Sequence, residues 1–171
     1  MKHKNILFTG TPGCGKTTLI EKIVRRMKRP CTGFFTREIC ETGRRVGFSI
    51  NTLDGKQGVL AHQKIKNRDR VGSYGVNLED IDRIAVPSMV PASEHMLVVI
   101  DEIGKMECCS RLFQDTLIRI LDSENPVLGS IALMGTAFIE GIKKRKDVLL
   151  IRVSGNNRDT LFEKYSAMLS E

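Results

Sequence analysis

At 171 residues the chain is sized for one domain, 1–171, built as a sheet covered by helices, and is short for two independent cores. Hydrophobic residues at 41% and charged residues at 27% exclude a disordered or fibrous chain, and no apolar stretch approaches the roughly 20 residues of a membrane span. A formal charge of +7 points to an anionic partner, without choosing among a nucleotide, a nucleic acid and an acidic surface.

Met1-Lys2-His3-Lys4 leads directly into a strand-length apolar run, so no signal peptide is expected. Ile6 to Thr9 reads as the first strand, and after a glycine loop Leu19, Ile20, Ile23, Val24 and Met27 form one helical stripe. From Thr32 to Leu53 the period falls to two, with Val46, Phe48 and Ile50 alternating with Gly47, Ser49 and Asn51, and Glu41-Thr42-Gly43 supplying turn residues. An antiparallel hairpin inserted after the first helix is expected there. Asp54-Gly55 marks a turn, 54 to 77 predicts short strands or loop, and Gly75 to Asp82 leads into a helix ending near Pro87 or Pro91.

Leu97 to Asp101, Val127 to Leu133 and Val148 to Val153 are short runs rich in branched residues, as strands buried on both faces tend to be. Between and after them lie helical stripes of Phe113, Leu117, Ile120 and Leu121, and of Leu161, Phe162, Tyr165, Met168 and Leu169. Alternation of strand and helix predicts an α/β fold with a mostly parallel sheet. The five cysteines, Cys14, Cys31, Cys40, Cys108 and Cys109, contain no CxxC pair, which suggests a reduced, cytoplasmic setting. Cys108 and Cys109 read as residues at a helix start, and Lys143-Lys144-Arg145-Lys146 as the solvated end of a helix.

Gly10-Thr11-Pro12-Gly13-Cys14-Gly15-Lys16-Thr17 satisfies G-x-x-x-x-G-K-[ST] at every fixed position. A triphosphate requires backbone N–H groups turned inward around its oxygens, a helix N-terminus behind them, a lysine for the β and γ phosphates and a hydroxyl for Mg²⁺. Lys16 and Thr17 fill the last two roles, and Thr18 is placed for the α phosphate. A dinucleotide fingerprint is disfavoured, because its third glycine position holds Thr18 and it has no use for Lys16.

Leu97-Val98-Val99-Ile100-Asp101-Glu102 is an apolar strand ending in acids, as the Mg²⁺-side carboxylate requires. Asp101 takes that role, and Glu102 is assigned to orient and deprotonate the attacking water. Glu107 has two readings, a contact to Mg²⁺ or water and a cap for the next helix. Arg37, Arg44, Arg45 and Arg158 are candidates for the charge of the transition state.

With these segments in hand, the chain resembles the nucleoside-triphosphatase family first described from thermophiles and shared with the cancer-related nucleoside-triphosphatase of animals. The resemblance rests on TGTPGCGKTTLIEKI at 9 to 23, GFFTREI at 33 to 39, RRVGFSINTLDG at 44 to 55, VGSYGVNL at 71 to 78, VVIDEIGKME at 98 to 107 and NRDTL at 157 to 161. It implies a P-loop fold with a RecA-like sheet, and slow Mg²⁺-dependent hydrolysis of ATP, GTP and other nucleoside triphosphates with little base selectivity. The family's nucleotide-binding segments carry over onto Gly10 to Thr17 and onto Leu97 to Gly104. Arg158 falls in the run before the last helix, where its position suggests a contact near the base. Met134 to Phe138 and Cys108-Cys109 depart from the family pattern.

Two rival functions stay open. A small-molecule kinase shares the loop and needs an arginine-rich lid, for which Met134 to Lys146 is the candidate. An RNA-associated, nucleotide-dependent switch suits the basic run at 143 to 146, although aromatics make up only 5% of the chain. A monomer is expected, with nucleoside triphosphates as partners and no membrane.

Overall fold

A computed structural model describes residues 4–170. The element order is β1 (Asn5–Thr9), α1 (Lys16–Arg26), β2 (Cys31–Glu41), β3 (Arg44–Thr52), β4 (Gln57–His62), β5 (Arg70–Val71) and β6 (Tyr74–Val76). A helical passage follows, with α2 (Leu78–Asp80) and α3 (Val86–Ser88) joined by the π-helical turn Ile81–Ala85. Then come β7 (Leu97–Ile103), a 3₁₀ turn at Glu107–Cys109, α4 (Arg111–Asp122), β8 (Val127–Ile131), α5 (Ala137–Lys143), β9 (Val148–Arg152) and α6 (Arg158–Ser170). Among the described residues no helix is long and apolar enough to cross a membrane.

All the strands join one mixed sheet in the order β5-β6-β4-β3-β2-β7-β8-β1-β9. From β2 to β9 every pairing is parallel; from β2 outward to β5 every pairing is antiparallel. The expected hairpin is therefore part of the sheet, with β2 belonging to both halves and β4, β6 and β5 continuing the meander. Gly33 makes this junction possible: at φ 116 it passes so close to β7 that a Cβ would lie 1.8 Å from the Val99 carbonyl oxygen.

The apolar runs β1, β7 and β8 owe their lack of alternation to burial on both faces, whereas β9, expected to be buried likewise, is an edge strand with Leu150 39% exposed. Ile6 and Phe8 of β1, with Leu97 and Val99 of β7, enter a core with Leu19, Ile20 and Ile23 of α1 and Tyr165 and Leu169 of α6. Leu7, Val98 and Ile100 face the opposite way, against Phe113, Leu117 and Leu121 of α4 and against the helical passage at Ile81 and Met89. Edge-to-face contacts lock both sides, Phe8 with Tyr165 at 5.7 Å and Phe34 with Phe113 at 6.3 Å. The helical passage ends at Ser88, one residue after Pro87, as expected.

Candidate active site

The site forms at the carboxyl ends of the parallel strands, where β1 delivers the chain into the glycine loop and α1 begins. Gly15 caps α1 at φ 94 in the left-handed region, so the chain turns sharply and the first amides of the helix point into the cleft. Lys16 is only 8% exposed, and its Nζ donates to the carbonyl oxygens of Gly10 at 3.1 Å and Thr11 at 3.3 Å. The ammonium is thus held inside the loop by weak neutral acceptors, which an anion can displace.

A cleft of about 760 Å³ lies over the loop. Gly10, Pro12, Gly13 and Gly15 to Thr18 form its floor, the hairpin residues Thr36, Arg37 and Arg45 one wall, and Glu102, Leu133 and Met134 another. Two loop residues point elsewhere: Thr11 offers its carbonyl to Lys16, and Cys14 turns its sulfur back toward Gly10. Their amides remain part of the loop's backbone.

β7 is not β1's neighbour; β8 runs between them. Ser130 of β8, fully buried, spans that gap and donates its hydroxyl to Asp101 Oδ1. No reading of motifs identified this residue; the available signal was a polar side chain in an otherwise apolar strand. Asp101 is 1% exposed, and its Oδ2 has no hydrogen-bond partner among the described residues. Burial raises its carboxyl above the ordinary value, opposed by the Ser130 and Thr17 hydroxyls and the Lys16 charge. A buried carboxylate oxygen without a donor, beside a threonine hydroxyl, fits a hard divalent cation such as Mg²⁺, which takes oxygen ligands.

Glu102 follows across a cis peptide and faces the cleft. Burial first, and then the Asp101 charge, raise its carboxyl, while Lys16 pulls it down. Glu107 lies behind it, 4% exposed and well above the usual glutamate range, chiefly from burial and next from the Glu102 charge. It does not cap α4, because Ser110 does so: the Phe113 amide donates to Ser110 Oγ at 3.0 Å.

Of the candidate arginines, Arg37 and Arg45 line the cleft and Arg44 does not. Arg37 pairs with Glu21; Arg45 pairs with Glu38 at 2.8 Å and lies over the Phe48 ring at 5.2 Å. Arg158 opens α6 and covers the loop: a Cβ on Gly15 would lie 2.6 Å from its terminal nitrogen. Asn157 fixes that approach, accepting the Ser154 amide and donating to the Arg152 carbonyl, both at 2.9 Å.

The basic run closes α5 as expected, with Lys144 and Lys146 exposed, while Lys143 donates to Glu140 at 2.9 Å and to the Leu133 carbonyl at 2.8 Å, and Arg145 is bound by Asp122 and Asp147. Met134 to Lys146 is no arginine-rich lid. Its helix α5 is anchored through buried Ile139 and Ile142, and Met134 alone of the segment lines the cleft.

A strand that feeds a glycine loop into a helix, a buried lysine at the head of that helix, and an acid two strands away define a P-loop nucleotide-binding protein of the α/β class. The comparisons narrow this. The chain belongs to the NTPase family, whose model, described as NTPase, matches residues 5–165. It is 44% identical over 165 residues to nucleoside-triphosphatase THEP1 of Thermotoga sp. (strain RQ2), covering 96% of this chain and 94% of that one. It is 37% identical to the cancer-related nucleoside-triphosphatase of Homo sapiens, covering 92% of each. The crystal structure of THEP1 from Aquifex aeolicus superposes with a TM-score of 0.89 at 34% identity, over 98% of this chain and 99% of that one.

Proposed function

We propose that this protein hydrolyses nucleoside triphosphates to the diphosphate and phosphate, with Mg²⁺ and with little preference for the base. The observation that carries the reading is the buried Asp101 oxygen without a donor, set opposite Thr17 at the mouth of the glycine loop. Thr17 and Asp101 would hold the metal, which when bound neutralises charge on the phosphate oxygens. Lys16 exchanges the Gly10 and Thr11 carbonyls for phosphate oxygens, and the loop amides from Gly13 into the start of α1 cradle the remainder of the chain of phosphates.

Glu102 accepts a proton from the attacking water as the new bond to the γ phosphorus forms and the bond to the bridging oxygen breaks. Its burial beside Asp101 raises its affinity for that proton, which suits a general base near neutral pH. Arg158, held over Gly15, is assigned to the nucleotide. Free thiols at all five cysteines accord with a cytoplasmic setting, and the internal ion pairs of Lys143 and Arg145 argue against an RNA partner.

Phosphate release from ATP, GTP, CTP and UTP, each with Mg²⁺ and with excess EDTA, tests the reading. Comparable release from all four that stops with EDTA is expected. Release indifferent to EDTA removes the metal from the scheme, and no release removes the activity.

A further inference from the structure

We propose that Arg45 meets the charge of the transition state, reaching the γ-phosphoryl group from the hairpin, and that Phe48, Glu38 and Tyr74 hold it for that task. This role rests on the hydrolytic reading above and adds a catalytic residue to it.

The hairpin aims this side chain. In a regular strand residues three apart point to opposite faces, so Arg45 and Phe48 should diverge. A bulge in β3 prevents this: Ile39 of β2 pairs with Gly47, and the next residue, Cys40, pairs with Arg45, leaving Val46 as the extra residue. One extra residue reverses the parity of the strand and re-aims what precedes it. Arg45 therefore shares a face with Phe48 and with Glu38, the cross-strand partner of Phe48.

Three contacts fix the guanidinium. It lies over the Phe48 ring at 5.2 Å, Nη1 donates to Glu38 Oε1 at 2.8 Å, and Nε donates to the Tyr74 hydroxyl at 3.2 Å. Tyr74 reaches in from β6, and its ring meets Phe48 edge-on at 5.3 Å. Among the described residues Nη2 makes no hydrogen bond, so its donors are open to an anion. The Glu38 pair is no obstacle, because both side chains are about half exposed and such a pair contributes little.

Strand order puts this charge at the γ end of the nucleotide. β9 flanks β1 on one side, and Arg158, which covers the loop, follows β9. The hairpin lies on the other side, next to β7 with Asp101 and Glu102. Phe48 lines the cleft together with Lys16 and Glu102, and shares with Glu102 a recess opening off it. Arg45, held over Phe48, thus stands on the side of the acid assigned to the attacking water. Arg37 is engaged elsewhere: its Nη2 is 2.5 Å from Glu21 Oε1 on α1, and that side chain is 17% exposed, so turning away strands a mostly buried acid. As the bond to the bridging oxygen breaks, charge spreads over the γ oxygens, where the Arg45 donors oppose it.

The test compares Arg45→Ala, Arg45→Lys and Tyr74→Phe with the parent in phosphate release from ATP and Mg²⁺. Binding of ADP and Mg²⁺ is measured alongside, with and without aluminium fluoride, which stands in for the phosphoryl group in transfer. Arg45→Ala should lower kcat by roughly 10²- to 10³-fold, the scale of one preorganised donor, while ADP binds as before and aluminium fluoride no longer tightens it. Arg45→Lys keeps the charge without the planar fork and should recover little, and it serves the same comparison if alanine prevents folding. Tyr74→Phe keeps the ring contact with Phe48 and loses only the hydroxyl, so kcat should fall about tenfold at unchanged KM. An unchanged kcat in Arg45→Ala overturns the inference and leaves hydrolysis standing. Equal losses of affinity for ADP and for its aluminium fluoride complex also overturn it, since Arg45 then binds ground and transition states alike. A parent protein that releases no phosphate overturns the hydrolytic reading itself.

Discussion

Replacing Glu107 by Gln should make the protein more stable at neutral pH and flatten the dependence of its stability on pH. In the unfolded chain a glutamate ionises near ~4.3. In the folded protein Glu107 is 4% exposed, and burial together with the Glu102 charge holds its carboxyl well above that value. Above about pH 4.3 the unfolded state has therefore lost a proton that the folded state keeps, and stability falls as pH rises, by up to ~1.4 kcal/mol per pH unit. The stability associated with this group is fully present below the unfolded value and is lost as pH climbs through the raised folded value. Glutamine has no proton to lose, and its amide oxygen can still accept from the Glu107 and Gly104 amides that now support the carboxyl. In the window between the unfolded value and the raised folded one the variant should gain on the parent by up to ~1.4 kcal/mol per pH unit, or ~3–6 °C in Tm for a chain of this size. Urea unfolding of both proteins across that range and on to about pH 8, at fixed ionic strength and without nucleotide, measures the difference. Parallel curves would refute the claim that folding raises the Glu107 carboxyl.

Glu102→Gln should lower phosphate release by roughly 10²- to 10⁴-fold while a fluorescent nucleotide binds as before; unchanged turnover would remove Glu102 from the chemistry. Arg158→Ala should weaken nucleotide binding by about tenfold or more, the scale of one charge-assisted hydrogen bond, and equal affinities by titration calorimetry would detach Arg158 from the ligand. Gly33→Ala places a methyl group 1.8 Å from the Val99 oxygen between β2 and β7. A loss of about 4 kcal/mol or more is expected in denaturant unfolding, and a wild-type midpoint would contradict the close approach. Cys108 is buried with its thiol pushed far up by burial, whereas Cys40 is exposed, so a maleimide should label Cys40 in the native protein and Cys108 only after denaturation.

Much of the site was legible because its chemistry is local in the chain. Nine consecutive residues, Gly10 to Thr18, carry backbone, charge and hydroxyl together, and the apolar run ending at Asp101-Glu102 announces a strand with acids at its tip. Ser130 was hidden because its role depends on which strand lies between β1 and β7, and strand order is set by tertiary packing. Glu107 kept two readings for the same reason: spacing along the chain is compatible with a cap, while burial is a property of what folds over it. Composition announced 143 to 146 as a solvated helix end but not the partners of Lys143 and Arg145, since Asp122, Glu140 and Asp147 come from α4, α5 and the turn before β9.

The order of residues alone determined the phosphate loop, the period-two hairpin and the doubly buried strands, because hydrogen-bonding need and hydrophobic period act over a few neighbouring positions. Only the folded chain decided that the hairpin would join the central sheet, that β8 would bring a serine to Asp101, and that Glu102 and Glu107 would meet above a glycine. Those outcomes depend on contacts between segments up to more than a hundred residues apart, whose energies no local pattern encodes.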